Sequence, residues 1–305
     1  MSTFYVDFAL GGLSAAVSKS VNAPIDRVKL LLQNQDSNPD ILSSGRRYTG
    51  IIDCFTRVAS EEGVAAFWKG NLPNIIRYFP TQFLNFAVKD SYKQLFKPKE
   101  KDAPHWKKFS ANLLSGACAG ATSMLFVYPL DVAATRLAND ISGQFKGLGD
   151  CLSFILNFGG ITGLYTGFGT SVIGIIVYRG FYFGFYDTAK AFMGKNGLAN
   201  LAIALGVTNL AGLVSYPLDT IRRRMIMQVG RKIADIQYTG PLDCLFKILK
   251  QEGVGGLFGG CLTNILRGIG ASLVLVLFDH FFLAKRRDAI KKRQAEANKN
   301  KEGNQ

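Results

Sequence analysis

Four basic residues stand near the middle of otherwise apolar stretches of the sequence. A charge within a bilayer is costly, so such a residue normally faces a bundle interior or a water-filled cavity and serves a function. Arginine offers paired donors to phosphate oxygens, and lysine offers a point charge. Together they would suit a diphosphate or triphosphate; the alternative is ion pairing within the membrane, which no carboxylate nearby in sequence favours. The four residues are Lys19, Arg77, Arg179 and Arg267.

The elements that must position these charges repeat three times along the chain. Tyr48–Cys54, Phe145–Cys151 and Tyr238–Cys244 share one pattern, at offsets of 97 and 93 residues. The same offsets connect Glu62 with Gly159 and Glu252. Such parallel matches are the signature of a tandem repeat. We predict repeats over residues 1–100, 101–194 and 195–288, followed by a polar basic tail, 289–305. Pro-x-Asp recurs at Pro24, Pro129 and Pro217, and a glycine recurs at Gly70, Gly167 and Gly260.

Composition places these repeats in a membrane. Apolar residues make up 48% of the chain and charged residues 19%. Phe109–Leu130 and Asn196–Leu218 carry no charge, and about 20 such residues cross a bilayer core. We predict an all-α membrane protein with six transmembrane helices in three tandem two-helix repeats, threefold pseudosymmetry and a short amphipathic helix in each repeat. The other four predicted spans are Phe8–Ile25, Leu72–Val88, Phe168–Tyr186 and Thr263–Phe278.

Small residues spaced four apart occur in the first helix of each repeat. Such spacing lets helix backbones approach closely in lipid, so we expect tight helix packing there. The pairs are Gly12 and Ala16, Gly116 and Gly120, and Thr208 and Gly212.

Several classes of function are disfavoured. The net charge of +14 fits an anionic substrate or lipid, whereas basic residues within apolar stretches cannot form an external nucleic-acid patch. There is no phosphate-binding glycine loop, metal-ligand cluster or elbow serine, so we expect neither an enzyme nor a metal or cofactor. The N-terminus has no features of a cleavable targeting segment. Three of the five cysteines, Cys54, Cys151 and Cys244, obey the repeat, which indicates a structural role, with thiol reactivity as the alternative.

Pro-x-Asp-x-x-Lys/Arg motifs in about 300 residues resemble the mitochondrial carrier family over nearly the whole chain. The resemblance is greatest to its adenine nucleotide carriers, through Pro24–Gln33, Ile76–Phe86 and Tyr182–Lys190. It implies a monomer that exchanges ADP for ATP across the mitochondrial inner membrane by alternating access, with both termini facing the intermembrane space. The segment that resembles the family's nucleotide signature, with Ile226 replacing a methionine, comprises Arg222, Arg223, Arg224, Met225, Ile226 and Met227.

A nucleotide has no threefold symmetry, so its ligands are expected where the repeats differ. Arg77 aligns with Gly174 and Arg267, Arg179 with a glutamine and a serine, and Lys19 with a methionine and a glycine. The resemblance implies that Lys19, Arg77 and Arg267 bind phosphates. It places Gly174, Ile175, Tyr178 and Ser215 around the adenine.

Tyr178, Tyr182 and Tyr186 fall on one helix face. They are either a packing stripe or a stacking track for a base beside Arg179.

The resemblance also implies a ring of ion pairs at each end of the cavity. Each ring lacks one cation, because Ala134 and Phe282 stand where partners for Asp26 and Asp187 are expected. We hypothesise that these matched losses loosen both closed states and keep them balanced. The matrix gate comprises Asp26, Lys29, Gln33, Asp131, Asp219 and Arg222, and the cytoplasmic gate comprises Asp90, Lys93, Asp187, Lys190 and Asp279.

Six repeated glycines precede predicted helices, whose N-termini expose N–H groups that bind phosphate. By resemblance the lipid is cardiolipin, three molecules per carrier; the alternative is plain turns. The glycines are Gly50, Gly70, Gly147, Gly167, Gly240 and Gly260.

Two other functions stay open: a carrier of the same fold for another nucleotide, phosphate or protons, and a scaffold that has lost transport.

Overall fold

A computed structural model describes residues 2–97, 104–189, 197–231 and 235–278. Within these ranges the chain forms helices, turns and short helical segments, and no β-strand. The predicted tail, 289–305, lies outside the described residues. The helices are α1 (Ser2–Asn34), α2 (Pro39–Ser44), α3 (Ile51–Arg57), α4 (Asn71–Ile76), α5 (Tyr78–Leu95), α6 (His105–Ala138), α7 (Leu148–Leu164), α8 (Phe168–Ala189), α9 (Gly197–Ile226), α10 (Pro241–Gln251), α11 (Val254–Leu257) and α12 (Cys261–Phe278).

Each repeat contains one long helix, a shorter helix (α3, α7 or α10) and a second spanning helix, as predicted; repeats 1 and 3 also contain the short helices α2 and α11. The long helices α1, α6 and α9 continue through Pro24, Pro129 and Pro217. The second spanning helix of repeat 1 is interrupted at Arg77, between α4 and α5. By length and apolar composition, Phe109–Ala138, Phe168–Tyr186 and Ala199–Ile226 are long enough to cross a membrane.

The six spanning helices form a closed ring. Helix α5 packs against α6, α8 against α9, and α12 against α1, so the second helix of each repeat contacts the first helix of the next. The last contact joins repeat 3 to repeat 1. This cyclic order is the threefold arrangement that the triplication predicts, and it encloses a central space.

A small apolar core around a repeated cysteine anchors the short helix of each repeat. Cys54 packs with Val28 and Leu31, and Cys151 and Cys244 occupy the equivalent positions. All three cysteines are fully buried. Burial also raises the pKa of each thiol to about 12. These observations support the structural role, because a buried neutral thiol is a poor nucleophile.

Glycines at the start of the second helices bring neighbouring repeats into close contact. Gly70, Gly167 and Gly260 have φ values of 80°, 79° and 71°, a left-handed conformation that favours glycine. A Cβ at these positions would lie 2.6, 3.2 and 2.9 Å from the carbonyl oxygens of Ala134, Arg222 and Lys29, respectively. Those carbonyls belong to equivalent positions of the next repeat. Backbone packing therefore accounts for these three glycines.

The predicted role of the small-residue pairs is wrong in two repeats. A Cβ at Gly12 would meet the ring of Phe79, and one at Gly116 or Gly120 would meet the Arg179 side chain. At Gly212 it would meet no atom within 4 Å. Gly12, Gly116 and Gly120 therefore make room for large side chains from another helix, and not for a close approach of helix backbones, whereas Gly212 faces open space. The spacing pattern cannot distinguish the two.

Candidate functional site

A chamber of about 380 Å³ lies at the centre of the helix ring. It adjoins a second space of about 540 Å³, and the two share Lys19, Arg77 and Tyr178 in their walls. Arg179 lines only the second space. Most of the predicted substrate ligands thus face one cavity, although they come from different helices. Those that line the chamber are Lys19, Arg77, Gly174, Ile175, Tyr178, Ser215 and Arg267.

Ion pairs close one end of the chamber. Lys29 Nζ lies 3.0 Å from Asp219 Oδ2, which also accepts a hydrogen bond from Gln33 Nε2 at 3.2 Å. On the other side Arg222 pairs with Asp131. These contacts join α1 to α9 and α6 to α9. Each Pro-x-Asp motif stands shortly before the C-terminus of its long helix, and the short helix of the repeat follows along the chain. The floor therefore lies at the end of the ring where the short helices lie.

The third pair of the floor has no cation at the expected position. Ala134 is 3% exposed, and its methyl group stands where the other two repeats place Lys29 and Arg222. Asp26 instead lies 3.6 Å from Arg267 Nε. The ring of ion pairs is therefore open on one of its three sides.

Carboxylates lie closer to the cationic residues than sequence proximity predicted. Arg77 pairs with Asp131, which it shares with Arg222, and Arg267 lies beside Asp26. These partners come from other helices, so the absence of a carboxylate nearby in sequence did not exclude ion pairing, which the sequence left open as the alternative. Within the described residues Lys19 makes no ion pair. The cations are thus partly neutralised, and an anionic substrate must compete for them.

An uncharged wall stands beside the cations. A Cβ at Gly174 would approach only Leu218, at 3.7 Å, so the chamber is open there. Tyr178, Tyr182 and Tyr186 stack on one another, with ring centroids 6.0 and 5.9 Å apart and interplanar angles of 22° and 10°. The first two of these rings also line the second space. Their stacking accounts for the stripe, and they present aromatic surface to the cavity.

The three signature arginines perform different structural tasks. Arg222 pairs with Asp131, and Arg223 donates to Asp219 at 2.9 Å and to Thr135 at 3.2 Å. Arg224 is fully buried behind the floor and pairs with Glu252 at 2.7 Å. Burial opposes ionisation of Glu252, but the hydrogen bonds from Arg224 outweigh it and hold its pKa below the ordinary value. The rest of the signature packs: Met225 is partly buried against an apolar core, Ile226 is fully buried, and Met227 is 3% exposed.

Sequence reasoning missed two buried arginines. Arg27 pairs with Glu62 at 2.7 Å and donates to the carbonyl oxygen of Ala138, so it joins repeats 1 and 2. Arg136 is equivalent to Arg224, but Gly159 stands at the position that Glu252 occupies in repeat 3. The sequence did contain a signal for these ion pairs, since acidic residues occur at two of the three equivalent positions, Glu62, Gly159 and Glu252.

Only part of the predicted cytoplasmic gate can be located. Asp90 and Lys93 lie near the end of α5 and are exposed. Lys190, Asp279 and Phe282 lie outside the described residues, as does the side chain of Asp187. The pairs Asp90–Lys190 and Asp279–Lys93 remain predictions.

Three of the predicted lipid-binding glycines precede the short helices. Gly50, Gly147 and Gly240 cap α3, α7 and α10 with φ values of 177°, 171° and −173°, an extended conformation open to any residue. A Cβ added to any of them would meet no atom within 4 Å. Neither the backbone nor packing requires glycine here, which leaves open space beside each N-terminus.

Comparison with known proteins matches all three repeats. The family model described as "Mitochondrial carrier protein" matches residues 1–100, 105–197 and 194–283. ADP/ATP translocase 3 of Bos taurus is 55% identical over 287 residues, which cover 91% of this chain and 96% of that protein. ADP/ATP translocase 2 of Rattus norvegicus is 54% identical with the same coverage. ADP/ATP translocase 4 of Bos taurus is 54% identical over 288 residues, covering 91% and 88% of the two chains.

Proposed function

We propose that this chain, which belongs to the mitochondrial carrier family, exchanges ADP for ATP across the mitochondrial inner membrane. Family membership makes it a membrane-integral transporter and not an enzyme. The observation that carries the proposal is the chamber in which Lys19, Arg77 and Arg267 face an uncharged wall at Gly174 and Ile175. The names of the three relatives give the same substrates for those proteins.

The chamber suits a molecule with one polyanionic and one flat apolar part. The phosphates would bind the three cations, since guanidinium and ammonium groups are favoured partners of phosphate oxygens. The adenine would lie against Gly174, Ile175 and Tyr178, with Ser215 within the same wall. Arg179, in the adjoining space, would attract the nucleotide on its way in. Phosphate alone would leave the uncharged wall without a partner.

Alternating access requires two gates that close in turn. The floor formed by Lys29–Asp219 and Asp131–Arg222 would open toward the matrix while Asp90, Lys93 and their partners close the opposite end. In this orientation both termini face the intermembrane space. One helix ring encloses the whole chamber, so a monomer suffices.

Exchange in liposomes tests the proposal. Vesicles containing the purified chain and cardiolipin are loaded with ATP, and uptake of labelled ADP is measured with and without an atractyloside-type inhibitor. We expect inhibitor-sensitive uptake that falls at least tenfold in Arg77→Ala and in Arg267→Ala. Lys250→Ala, which removes a charge from the exposed face of α10, is the matched control and should transport normally. Uptake of phosphate or another nucleotide in place of ADP would favour a different substrate.

Cardiolipin binding is part of the proposal and is supported by the open space at Gly50, Gly147 and Gly240. A lipid phosphate there would accept hydrogen bonds from the helix N-termini. Replacing all three glycines with alanine should leave the thermal midpoint in detergent nearly unchanged and reduce its rise on adding cardiolipin. An undiminished rise would contradict the assignment of these sites.

A further inference from the structure

The short helix of repeat 2 is less polar than the equivalent helices of repeats 1 and 3. Helix α7 carries a single charged residue, Asp150, which lies in its first turn. Two positions that are polar in the other repeats hold phenylalanine in α7. They are Phe154, which is equivalent to Arg57 and Lys247, and Phe158, which is equivalent to Glu61 and Gln251.

The surfaces of α3 and α10 carry ion pairs at these positions. Arg57 lies 3.3 Å from Glu61, and Lys247 lies 2.9 Å from Asp243. Charged side chains are costly to bring into hydrocarbon. The ion pairs therefore favour a position of α3 and α10 at the level of the lipid headgroups, and α7 has no such constraint in its C-terminal half.

The substitutions leave a group of large apolar side chains exposed on α7. Leu156, Phe158 and Ile161 are 44%, 68% and 73% exposed, and we call them the repeat-2 patch. The ring of Phe154 lies beside that of Phe158, with centroids 4.7 Å apart. Contiguous exposed apolar side chains mark a surface that contacts a partner or a membrane. The repeat-2 patch therefore calls for an apolar partner.

The repeat-2 patch adjoins the outer surface of a spanning helix. Tyr165, which follows α7, donates from its hydroxyl to the carbonyl oxygen of Leu125 on α6, at 3.1 Å. Leu125 and Phe126 are exposed, and they belong to a segment that is long and apolar enough to cross a membrane. Acyl chains that cover this part of α6 are thus next to the patch, and another protein would have to displace them.

We propose that the repeat-2 patch inserts among the acyl chains of the leaflet beside the chamber floor, so that α7 lies deeper in the bilayer than α3 and α10. An amphipathic helix buries its apolar face about 5–10 Å into the boundary between headgroups and acyl chains. Asp150, at the opposite end of α7, remains among the headgroups. The carrier is then anchored asymmetrically, through repeat 2. This arrangement is independent of the substrate that the chain transports.

Tryptophan fluorescence at two equivalent positions tests the proposal. Leu156 and Leu249 are equivalent leucines, and they are 44% and 37% exposed. In a full-length chain carrying Trp68→Phe and Trp106→Phe, the variants Leu156→Trp and Leu249→Trp each contain one fluorophore. In liposomes of lipids brominated along the acyl chain, we expect quenching about twofold stronger for Leu156→Trp, together with an emission maximum at shorter wavelength.

A restored charge should bring α7 back toward the headgroups. Phe158→Glu gives α7 the residue type of Glu61, and in the Leu156→Trp chain it should remove about half of the excess quenching by brominated acyl chains. Gln251→Glu adds the same charge at the equivalent position of repeat 3. In the Leu249→Trp chain this control should leave the quenching unchanged.

Three results would overturn the proposal. Equal acyl-chain quenching of Leu156→Trp and Leu249→Trp would show that the two helices lie at the same depth. Quenching of Leu156→Trp by aqueous iodide alone would place the patch in water, and quenching by neither reagent would indicate that a second copy of the chain covers it.

A measurement on the unsubstituted chain decides the question if the tryptophan variants do not fold. Lipids that carry a photoactivated diazirine on the acyl chain are incorporated into the liposomes, and labelled peptides are identified by mass spectrometry. We expect at least about twofold more labelling of α7 than of α10, because the bilayer depth of the two helices differs. Equal labelling of the two helices would overturn the proposal.

Discussion

At the residue scale, the buried arginines show how one substitution changes the energetics of an ion pair. Arg224 forms two hydrogen bonds with Glu252. Its equivalent, Arg136, is 6% exposed, lies over the rings of Phe145 and Phe154, and donates to the carbonyl oxygen of Met227 at 3.0 Å. Removing one partner of a buried ion pair is costly because it leaves the other charge uncompensated, whereas removing a buried cation that has no carboxylate partner leaves no such charge behind.

These two arginines should therefore differ in their tolerance of methionine. Arg224→Met leaves Glu252 buried without its main partner and should cost about 3–5 kcal/mol. Arg136→Met should change stability by about 1 kcal/mol or less. The carbonyl oxygen of Met227 still accepts from Arg231 Nε, at 3.2 Å. Thermal unfolding in detergent measures both, and an equal loss of stability would contradict the distinction.

The repeated cysteines lead to a prediction about pH. Burial raises the pKa of the thiols of Cys54, Cys151 and Cys244 to about 12, so at pH 8 only about one thiol in ten thousand is ionised. We expect these three to resist maleimide between pH 7 and 9 in the folded chain and to react on unfolding. Mass spectrometry after timed labelling measures this. Rapid modification of Cys151 in the folded protein would show that its core opens.

At the element scale, glycines determine how one repeat contacts the next. Gly167 precedes α8 with a φ of 79°, and a Cβ there would lie 3.2 Å from the carbonyl oxygen of Arg222. This contact between Gly167 and Arg222 holds the start of α8 against the residue of repeat 3 that belongs to the matrix gate. Gly169, two residues later, has no atom within 4 Å of an added Cβ. The two glycines therefore form a matched pair.

Gly167→Ala should destabilise the protein by about 1–3 kcal/mol, because alanine is strained at positive φ and crowds the carbonyl. Gly169→Ala should be neutral or stabilise by a few tenths of a kcal/mol, since alanine favours the helix. Unfolding midpoints compare the two variants. Exchange in liposomes would show whether loosening this contact also changes the gate. Equal midpoints would argue against the backbone contact.

At the scale of the whole molecule, the incomplete floor bears on the rate of alternation. Each closed state is held by the ion pairs of one gate, and a partly buried pair contributes about 1 kcal/mol or less. The structure shows the missing pair at Ala134, while Phe282 lies outside the described residues. A missing pair raises the free energy of the closed state toward that of the transition state for switching between the two conformations. This change favours faster exchange and more proton leak.

Restoring a cation to either gate should slow the cycle. We expect Ala134→Arg and Phe282→Lys each to lower the maximal exchange rate by up to about fivefold, and to lower proton conductance, because about 1 kcal/mol stabilises one closed state. Both rates are measured in the same liposomes. If exchange and leak are unchanged in both variants, the gates do not limit the cycle.

The sequence by itself determined the number of repeats, the helical class, the six spans and the residues that break the threefold pattern. Each of these follows from periodicity, composition or the internal alignment, which are local properties of the chain. The repeat also indicated that Asp26 lacks a partner, since Ala134 stands at an equivalent position to Lys29 and Arg222.

Only the tertiary structure decided which side chains meet. Ion pairs such as Arg77–Asp131 and Arg267–Asp26 join helices that are distant in sequence. The rotation of each helix about its axis determines which of its side chains form such pairs. The same applies to Gly116, which accommodates the side chain of Arg179. The physical reason is that a charge in a low-dielectric interior takes the nearest available countercharge, and nearness is fixed by packing across the ring.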